Sequence, residues 1–171
     1  MNYPEEMCAP MRADLTSAGF IELKTPEEVS DLLDKKEGTV LLIVNSVCGC
    51  AAGNARPAVK IATSFEKKAD VFATVFAGQD IGATARAREY MVPFPPSSPC
   101  IAVFKAGKLV HCIERHHIEG RSAEMIADIE NVQISTFELS GTFSSRRTLL
   151  VDQSFVSCHF LNFVGASFAM I

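Results

Sequence analysis

Uninterrupted apolar segments alternate along the chain with segments in which apolar residues recur at helical spacing. The uninterrupted runs predict β-strands, because they are short, rich in β-branched side chains and bounded by turn-forming residues. The predicted strands are 20–23, 39–45, 71–76, 100–104 and 109–113. The last two flank Lys105-Ala106-Gly107-Lys108, which predicts a hairpin closed by a glycine turn.

Helical spacing predicts helices in the remaining segments. They are 4–18, 26–36, 51–68, 84–91 and 123–130. Thr25-Pro26-Glu27-Glu28 marks the clearest helix start, because threonine can cap the helix while proline and glutamate suit its first turn. Pro57 lies inside the third predicted helix and is expected to kink it. The order of elements predicts an α/β fold, in which a mixed sheet is covered by helices and preceded by an extra N-terminal helix.

Cys48-Gly49-Cys50 lies where the predicted strand 39–45 is followed by the predicted helix 51–68. A helix N-terminus carries unpaired N–H groups and partial positive charge, which lower the pKa of a nearby thiol. One thiol can then attack a disulfide, and the other can resolve the mixed disulfide that results. Gly49 supplies the backbone freedom that so small a ring needs. These residues predict a redox dithiol, and the strain of the ring predicts a rather oxidising couple.

Two other interpretations of Cys48 and Cys50 stay open at this point. They can be small core residues, although glycine between them is a poor choice for the interior of a strand or helix. They can also chelate zinc or copper(I) together with donors further along the chain. The downstream candidates are His111, Cys112, His116 and His117, which lack the spacing of a second ligand pair.

Ser98 and Pro99 form the second informative position, just before a predicted strand. Ser–Pro bonds can be cis, and a cis Pro99 would present the backbone of Ser98 as an edge for an extended, disulfide-linked substrate. An ordinary turn proline explains the sequence equally well. Cys100 and Cys112 lie on predicted strands and are interpreted as core residues.

Charge and cysteine usage narrow the class of protein. The 171 residues carry a formal net charge of −4, which argues against a nucleic acid as partner. The first residues contain no basic segment followed by an apolar run, so we expect a cytoplasmic protein in a reducing compartment. The six cysteines are then expected to be free, catalytic or metal-bound, and their scatter does not suggest a disulfide framework.

The composition changes beyond residue 133. Six of the twelve phenylalanines lie in 134–171, serines are frequent, and lysine is absent from this segment. The stretch 154–171 has no formal charge, but its serine, histidine and asparagine residues make it a poor membrane span. We therefore expect one domain over 1–133 and a poorly ordered tail over 134–171, with no membrane partner.

Several motifs resemble those of the bacilliredoxins, a family of Cys-Gly-Cys proteins. The longest is VNSVCGCAAG at 44–53, followed by ARPA at 55–58. The others are PMR at 10–12, LTSAGF at 15–20, TVFAGQD at 74–80, AT at 83–84, REY at 88–90, PSSP at 96–99, RH at 115–116 and IEG at 118–120. The resemblance covers roughly residues 4–130.

The resemblance implies a thioredoxin-like fold and a thiol–disulfide oxidoreductase that removes bacillithiol, a small bacterial thiol, from mixed disulfides on protein cysteines. It implies that Cys48 attacks and Cys50 resolves, and that Pro99 matches the cis proline of the thioredoxin-like fold. Gly49, Ser98 and Pro99 are the expected substrate contacts. No bound cofactor and no metal are expected, and bacillithiol is the thiol co-substrate. The expected partners are bacillithiolated proteins and a disulfide reductase.

Three rival interpretations accompany this one: a disulfide isomerase or reductase, a metal-binding module, and a binding module that docks a partner through its tail. The tail has no counterpart in the family pattern. Cys100 and Cys112 stand where that pattern has other residues, which raises the question of further redox chemistry.

Overall fold

The computed structural model of this chain describes residues 3–141. Its helices are α1 (Glu5–Thr16), α2 (Pro26–Leu33), α3 (Arg56–Ala62), α4 (Ile81–Tyr90), α5 (Arg115–Ile118) and α6 (Ala123–Gly141). Its strands are β1 (Ile21–Glu22), β2 (Thr39–Asn45), β3 (Val71–Phe76), β4 (Cys100–Lys105) and β5 (Lys108–Ile113). A π-helical segment, Ala51–Ala55, leads directly into α3. All five predicted strands are confirmed to within one residue at each end.

The strands form one mixed sheet in the order β1-β3-β2-β4-β5. β2 pairs in parallel with β3 and antiparallel with β4, and the β4–β5 hairpin completes the antiparallel side. β2 therefore occupies the centre of the sheet, where all its residues except Thr39 are buried. This arrangement confirms the predicted α/β fold, with helices flanking a mixed sheet and an extra helix at the N-terminus.

Apolar side chains pack against both faces of the sheet. On one face, Leu42 of β2 lies in a cluster with residues of α2 and α4. On the other face, Leu41 and Ile43 lie in a cluster with residues of α1, α3 and α6. Successive side chains of a strand point to opposite faces, so β2 contributes to both cores. A strand covered on both faces has no polar side, which explains its unbroken apolar run.

The hairpin turns at Ala106 and Gly107, which confirms the predicted glycine turn. Both residues have positive φ, 49° and 74°, as expected for the two-residue turn that suits the twist of paired strands. A Cβ atom on Gly107 would lie only 2.5 Å from the carbonyl oxygen of Leu33. Glycine is therefore needed both for the turn and for its close approach to the end of α2.

The prediction of one continuous helix over 51–68 is wrong. The chain winds as a π-helix over Ala51–Ala55 and as an α-helix only over Arg56–Ala62. Pro57 consequently lies where π-helical winding gives way to α-helical winding, a place where the hydrogen-bond ladder already shifts. α2 does carry the predicted Thr25–Glu28 capping box, but it ends at Leu33 and not at residue 36.

The last helix is longer than predicted. It runs to Gly141, whereas the sequence pattern ends it near residue 130, and Ile134 is packed in the core at 2% exposure. The helix thus crosses the expected boundary at residue 133. Most of the expected tail, 142–171, lies outside the described residues, so the domain division and the disorder of the tail stay predictions. None of the helices within residues 3–141 is long and apolar enough to cross a membrane.

Ile134→Ala is expected to lower the free energy of unfolding by about 2–4 kcal/mol, because it leaves a cavity under α6. A chain ending at residue 133 should be destabilised in the same direction relative to a chain ending at residue 141. Urea unfolding followed by circular dichroism measures both effects. Met125→Ala, at a 56% exposed position of the same helix, is the matched control and should cost less than about 0.5 kcal/mol. Equal costs at the two positions would contradict the packing of Ile134.

Glu130 is an acidic residue on the buried side of α6. Its side chain is 0% exposed, and neither carboxyl oxygen has a hydrogen-bond partner among the described residues. Burial, with a smaller contribution from the field of Cys112, raises the pKa of Glu130 well above its usual value of 4.5. The folded chain therefore keeps a proton that the unfolded chain loses above that pH.

Since the unfolded state then binds fewer protons, Glu130 makes the free energy of unfolding fall as pH rises above 4.5. We expect Glu130→Gln to remove that contribution, which is about 1.4 kcal/mol per pH unit while the native carboxyl stays protonated. Urea unfolding at a series of pH values between about 5 and 7 gives the slopes. Glu124→Gln, on the exposed side of α6, should keep the wild-type slope. If Glu130→Gln kept the wild-type pH dependence of the free energy of unfolding, Glu130 would not be protonated in the folded chain.

Candidate active site

Cys48 and Cys50 are joined by a disulfide between the end of β2 and the π-helical segment. Their Cα atoms are 5.5 Å apart, within the range of ordinary disulfides. Both cysteines are half-buried, whereas Gly49 between them is exposed. The two thiols are thus close enough to form the predicted small ring, with Gly49 at its outer edge. The predicted oxidising potential stays a prediction.

Hydrogen bonds distinguish the two sulfur atoms. The Ser46 hydroxyl donates to Sγ of Cys48 at 3.2 Å, and the backbone N–H of Ala51 donates to the same sulfur at 3.3 Å. Among residues 3–141, no donor to the sulfur of Cys50 is found. When the disulfide is reduced, these two donors would stabilise a thiolate on Cys48. The geometry therefore favours Cys48 as the more acidic thiol of the pair.

A buried arginine, which the sequence interpretation missed, holds the segment before the dithiol. Arg56 is 6% exposed, and its guanidinium donates to Oδ1 of Asn45 at 3.2 Å and to the carbonyl oxygen of Ser46 at 3.3 Å. Its Nε donates to Asp14 of α1 at 2.9 Å. Arg56 is thus a positioning residue, because it fixes the residue whose hydroxyl contacts Cys48. The sequence did contain a signal for this contact, because Arg56 and Asn45 are polar residues within otherwise apolar segments.

Asp14 balances the charge of Arg56. It also accepts a hydrogen bond from Lys60 at 2.5 Å. Partial burial opposes ionisation of Asp14, but the hydrogen bonds from Lys60 and Arg56 outweigh it and lower its pKa below the usual 3.8. The carboxylate therefore stays ionised at all pH values at which the protein would work, and the arginine keeps its partner.

Pro99 lies at the same edge of the sheet as the dithiol. The Ser98–Pro99 peptide bond is cis, as the resemblance implies, and Pro99 is buried while Ser98 is half-buried. Cys100, the next residue, pairs with Val44 near the end of β2. The register therefore places Pro99 beside the segment that leads into Cys48. A substrate contact by Gly49, Ser98 or Pro99 stays a prediction.

A segment between β5 and α6 is attached to both sides of this region. At one end the N–H of Arg115 donates to the hydroxyl of Ser97 at 2.8 Å. At the other end the side-chain amide of Asn54, in the π-helical segment, donates to the carbonyl oxygen of Arg121 at 2.5 Å. The segment 115–121 thus ties the proline loop to the helix that follows the dithiol.

The histidines considered as metal ligands do not gather around the dithiol. Within residues 3–141, the group of three donors close enough to share an ion is Glu114, His116 and His117, whose ligand atoms lie within 4.8 Å of one another. Burial and the field of His117 lower the pKa of His111, which lies on β5. Cys112 is buried in the core beside α2 and α4. Neither Cys48 nor Cys50 belongs to the three-donor group.

Comparisons with known proteins agree with this geometry. A family model described as disulphide isomerase matches residues 3–137. A bacilliredoxin of Cytophaga hutchinsonii is 59% identical over 125 residues, which are 73% of this chain and 92% of that protein. A bacilliredoxin of Salinibacter ruber is 54% identical over 129 residues, 74% of this chain and 76% of that protein.

The fold has a counterpart among solved structures. A structure titled "A putative oxidoreductase with a thioredoxin fold" matches with a TM-score of 0.52 and 15% identity, over 67% of this chain and 92% of that one. At that identity the likeness concerns the fold alone. The shared fold, the sequence identity to the two relatives and the Cys48–Cys50 disulfide together assign the chain to a family. The chain belongs to the bacilliredoxin family and is a thioredoxin-fold thiol–disulfide oxidoreductase.

Proposed function

We propose that this oxidoreductase removes bacillithiol from mixed disulfides on protein cysteines, with Cys48 as nucleophile and Cys50 as resolving thiol. The observation that carries the assignment of roles is the pair of donors, Ser46 Oγ and Ala51 N, directed at the sulfur of Cys48. The membership of the bacilliredoxin family supports bacillithiol as the thiol that is removed.

The reaction begins with reduced protein. The Cys48 thiolate attacks the bacillithiol sulfur of the mixed disulfide, a new S–S bond joins Cys48 to bacillithiol, and the target cysteine leaves as a thiolate that takes up a proton. Cys50 then attacks Sγ of Cys48 and expels bacillithiol as its thiolate. The product is the Cys48–Cys50 disulfide, the state seen in this structure. Free bacillithiol or a disulfide reductase returns the dithiol to its reduced form.

Gly49, Ser98 and Pro99 are the proposed contacts of the substrate. Gly49 is exposed, and so leaves room for a bulky cap beside the two sulfurs. The half-buried Ser98, ahead of Pro99, supplies backbone polar groups for an extended peptide. We also propose that the protein works in the cytoplasm, the compartment in which thiols are kept reduced.

The test is a comparison of two caps on one model protein that carries a single cysteine. Reduced full-length protein is mixed with the bacillithiol-capped form or with the cysteine-capped form, and mass spectrometry follows loss of the cap. We expect removal of bacillithiol to be at least about tenfold faster, a difference of about 1.4 kcal/mol in transition-state stabilisation. Equal rates would overturn bacillithiol as the preferred cap.

A disulfide isomerase is the second candidate, because the family model that matches the chain carries that description. Isomerisation uses the same attack by Cys48 but needs the mixed disulfide to persist while the substrate rearranges. Refolding of a scrambled protein under the same conditions separates the two functions. Refolding as fast as removal of the cap would favour the isomerase, and much slower refolding would favour the proposed function.

A further inference from the structure

Cys100 and Cys112 are two free thiols that the proposed reaction does not use. Cys112 of β5 pairs in register with Ala102 of β4, two residues along from Cys100, so the cysteines are diagonal neighbours on one face of the sheet. They are 2% and 6% exposed and lie in the same core cluster. The strand register and the shared core cluster therefore place their side chains next to each other.

The interaction between the two side chains makes the thiols unequal. It raises the pKa of Cys100, which burial raises further, and it lowers the pKa of Cys112. Cys112 is also the more exposed of the two. A more acidic, more accessible thiol beside a protonated one is the arrangement of a nucleophile and its resolving partner.

The surroundings favour a neutral product. Sγ of Cys100 is 4.0 Å from the sulfur of the buried Met91, and both thiols belong to a cluster of buried apolar side chains. The negative field of Glu114 opposes ionisation of both thiols, while the field of Arg88 favours ionisation of Cys100. A disulfide carries no charge and leaves no polar hydrogen without a partner.

We propose that Cys100 and Cys112 form a second thiol–disulfide couple, oxidised by a hydroperoxide small enough to enter the core. The sulfur of Cys112 attacks one peroxide oxygen and breaks the O–O bond, which yields a sulfenic acid and, from hydrogen peroxide, one water. The sulfur of Cys100 then attacks the sulfur of Cys112 and expels the hydroxyl group as a second water. Two thiols and one peroxide thus become one disulfide and two waters, and a dithiol reductant reverses the change.

The couple differs from the first in location and access. Cys100 directly follows Pro99, so oxidation would link the strand below the proline loop covalently to β5. The first dithiol, at Cys48, is half-buried and open to protein disulfides, whereas the second is reached only by small molecules. The same chain would then respond to two classes of oxidant.

Tryptic mapping of the full-length wild-type chain tests this proposal directly. Cleavage after lysine and arginine leaves Cys100 in peptide 89–105 and Cys112 in peptide 109–115, while Cys48 and Cys50 stay together in peptide 37–60, because trypsin does not cleave before Pro57. Reduced protein is exposed to hydrogen peroxide, and its remaining thiols are alkylated in denaturant. We expect a linked 89–105/109–115 pair, matched by an equal loss of both alkylated peptides and reversed by dithiothreitol.

Three variants make the assignment specific. The linked pair should be absent in Cys112→Ser, and should persist in Cys8→Ser, which removes a lone buried thiol of α1. It should also persist in the double variant Cys48→Ser/Cys50→Ser, because peroxide and not the first disulfide is the oxidant. If the linked pair did not form in that double variant, the step in which peroxide oxidises Cys112 would be overturned. Full alkylation of Cys100 and Cys112 in wild-type protein whose peptide 37–60 has been oxidised would overturn the couple itself.

Discussion

Cys48→Ser is expected to lower the rate of bacillithiol removal by at least about a thousandfold, because serine is a far weaker nucleophile at neutral pH than a stabilised thiolate. The Ser46 hydroxyl and the Ala51 N–H would remain in place but would have no thiolate to stabilise. The rate is measured on a bacillithiol-capped model protein by mass spectrometry. A Cys48→Ser variant that retains wild-type activity would show that another thiol makes the attack.

Cys50→Ser is the matched control and should fail at a different step. Its Cys48 is intact, so we expect one rapid transfer of the cap, after which bacillithiol stays on Cys48 because no neighbouring thiol expels it. Intact-mass analysis should therefore find the adduct on Cys50→Ser and not on Cys48→Ser. An adduct that accumulates on Cys48→Ser instead would reverse the two roles.

Arg56→Met is expected to lower the free energy of unfolding by about 3 kcal/mol, since truncating one partner of a buried, hydrogen-bonded charge pair leaves the others without compensation. The Ser46 carbonyl would lose its guanidinium donor, and Asp14 would lose its most buried partner. Ser46 would then be held less firmly beside Cys48. We therefore also expect a higher pKa for the Cys48 thiol, measured as the pH dependence of its alkylation rate.

Lys60→Met provides the comparison, because Lys60 contacts the same carboxylate as Arg56 but from a 38% exposed position. An exposed ion pair contributes little, and we expect a cost below about 1 kcal/mol and an unchanged alkylation profile for Cys48. If Arg56→Met and Lys60→Met cost the same and both leave that profile unchanged, Arg56 does not position the dithiol loop.

The sheet could be read from local pattern because its central strands are covered on both faces. β2 and β3 appear as short apolar runs at the positions where the structure places them, since a strand with two buried faces needs no polar residue. The hairpin turn was equally local, because positive φ at Ala106 and Gly107 is a requirement of the turn itself. The Cys-Gly-Cys dithiol could also be predicted from the sequence, because its disulfide ring closes within three residues and needs no distant segment.

The errors in the helices have a common physical origin in contacts between distant segments. α6 continues past residue 130 because Ile134 packs in the core. The short sequence after residue 130 shows no helical spacing of apolar residues from which this extension could be predicted. The π-helical segment before Pro57 likewise depends on packing, as local helical spacing does not distinguish the two kinds of helix. Propensity over a few residues is a weak guide where tertiary packing decides.

The sequence by itself determined the α/β strand pattern, the family and the dithiol, because each is encoded in neighbouring residues. Only the tertiary structure decided which thiol receives the hydrogen bonds of Ser46 and Ala51, and that Arg56 links α1 to the end of β2. Only the strand register brought Cys100 and Cys112 together. Those contacts join residues far apart in the chain, and their partners are selected by burial, where every polar group must find one.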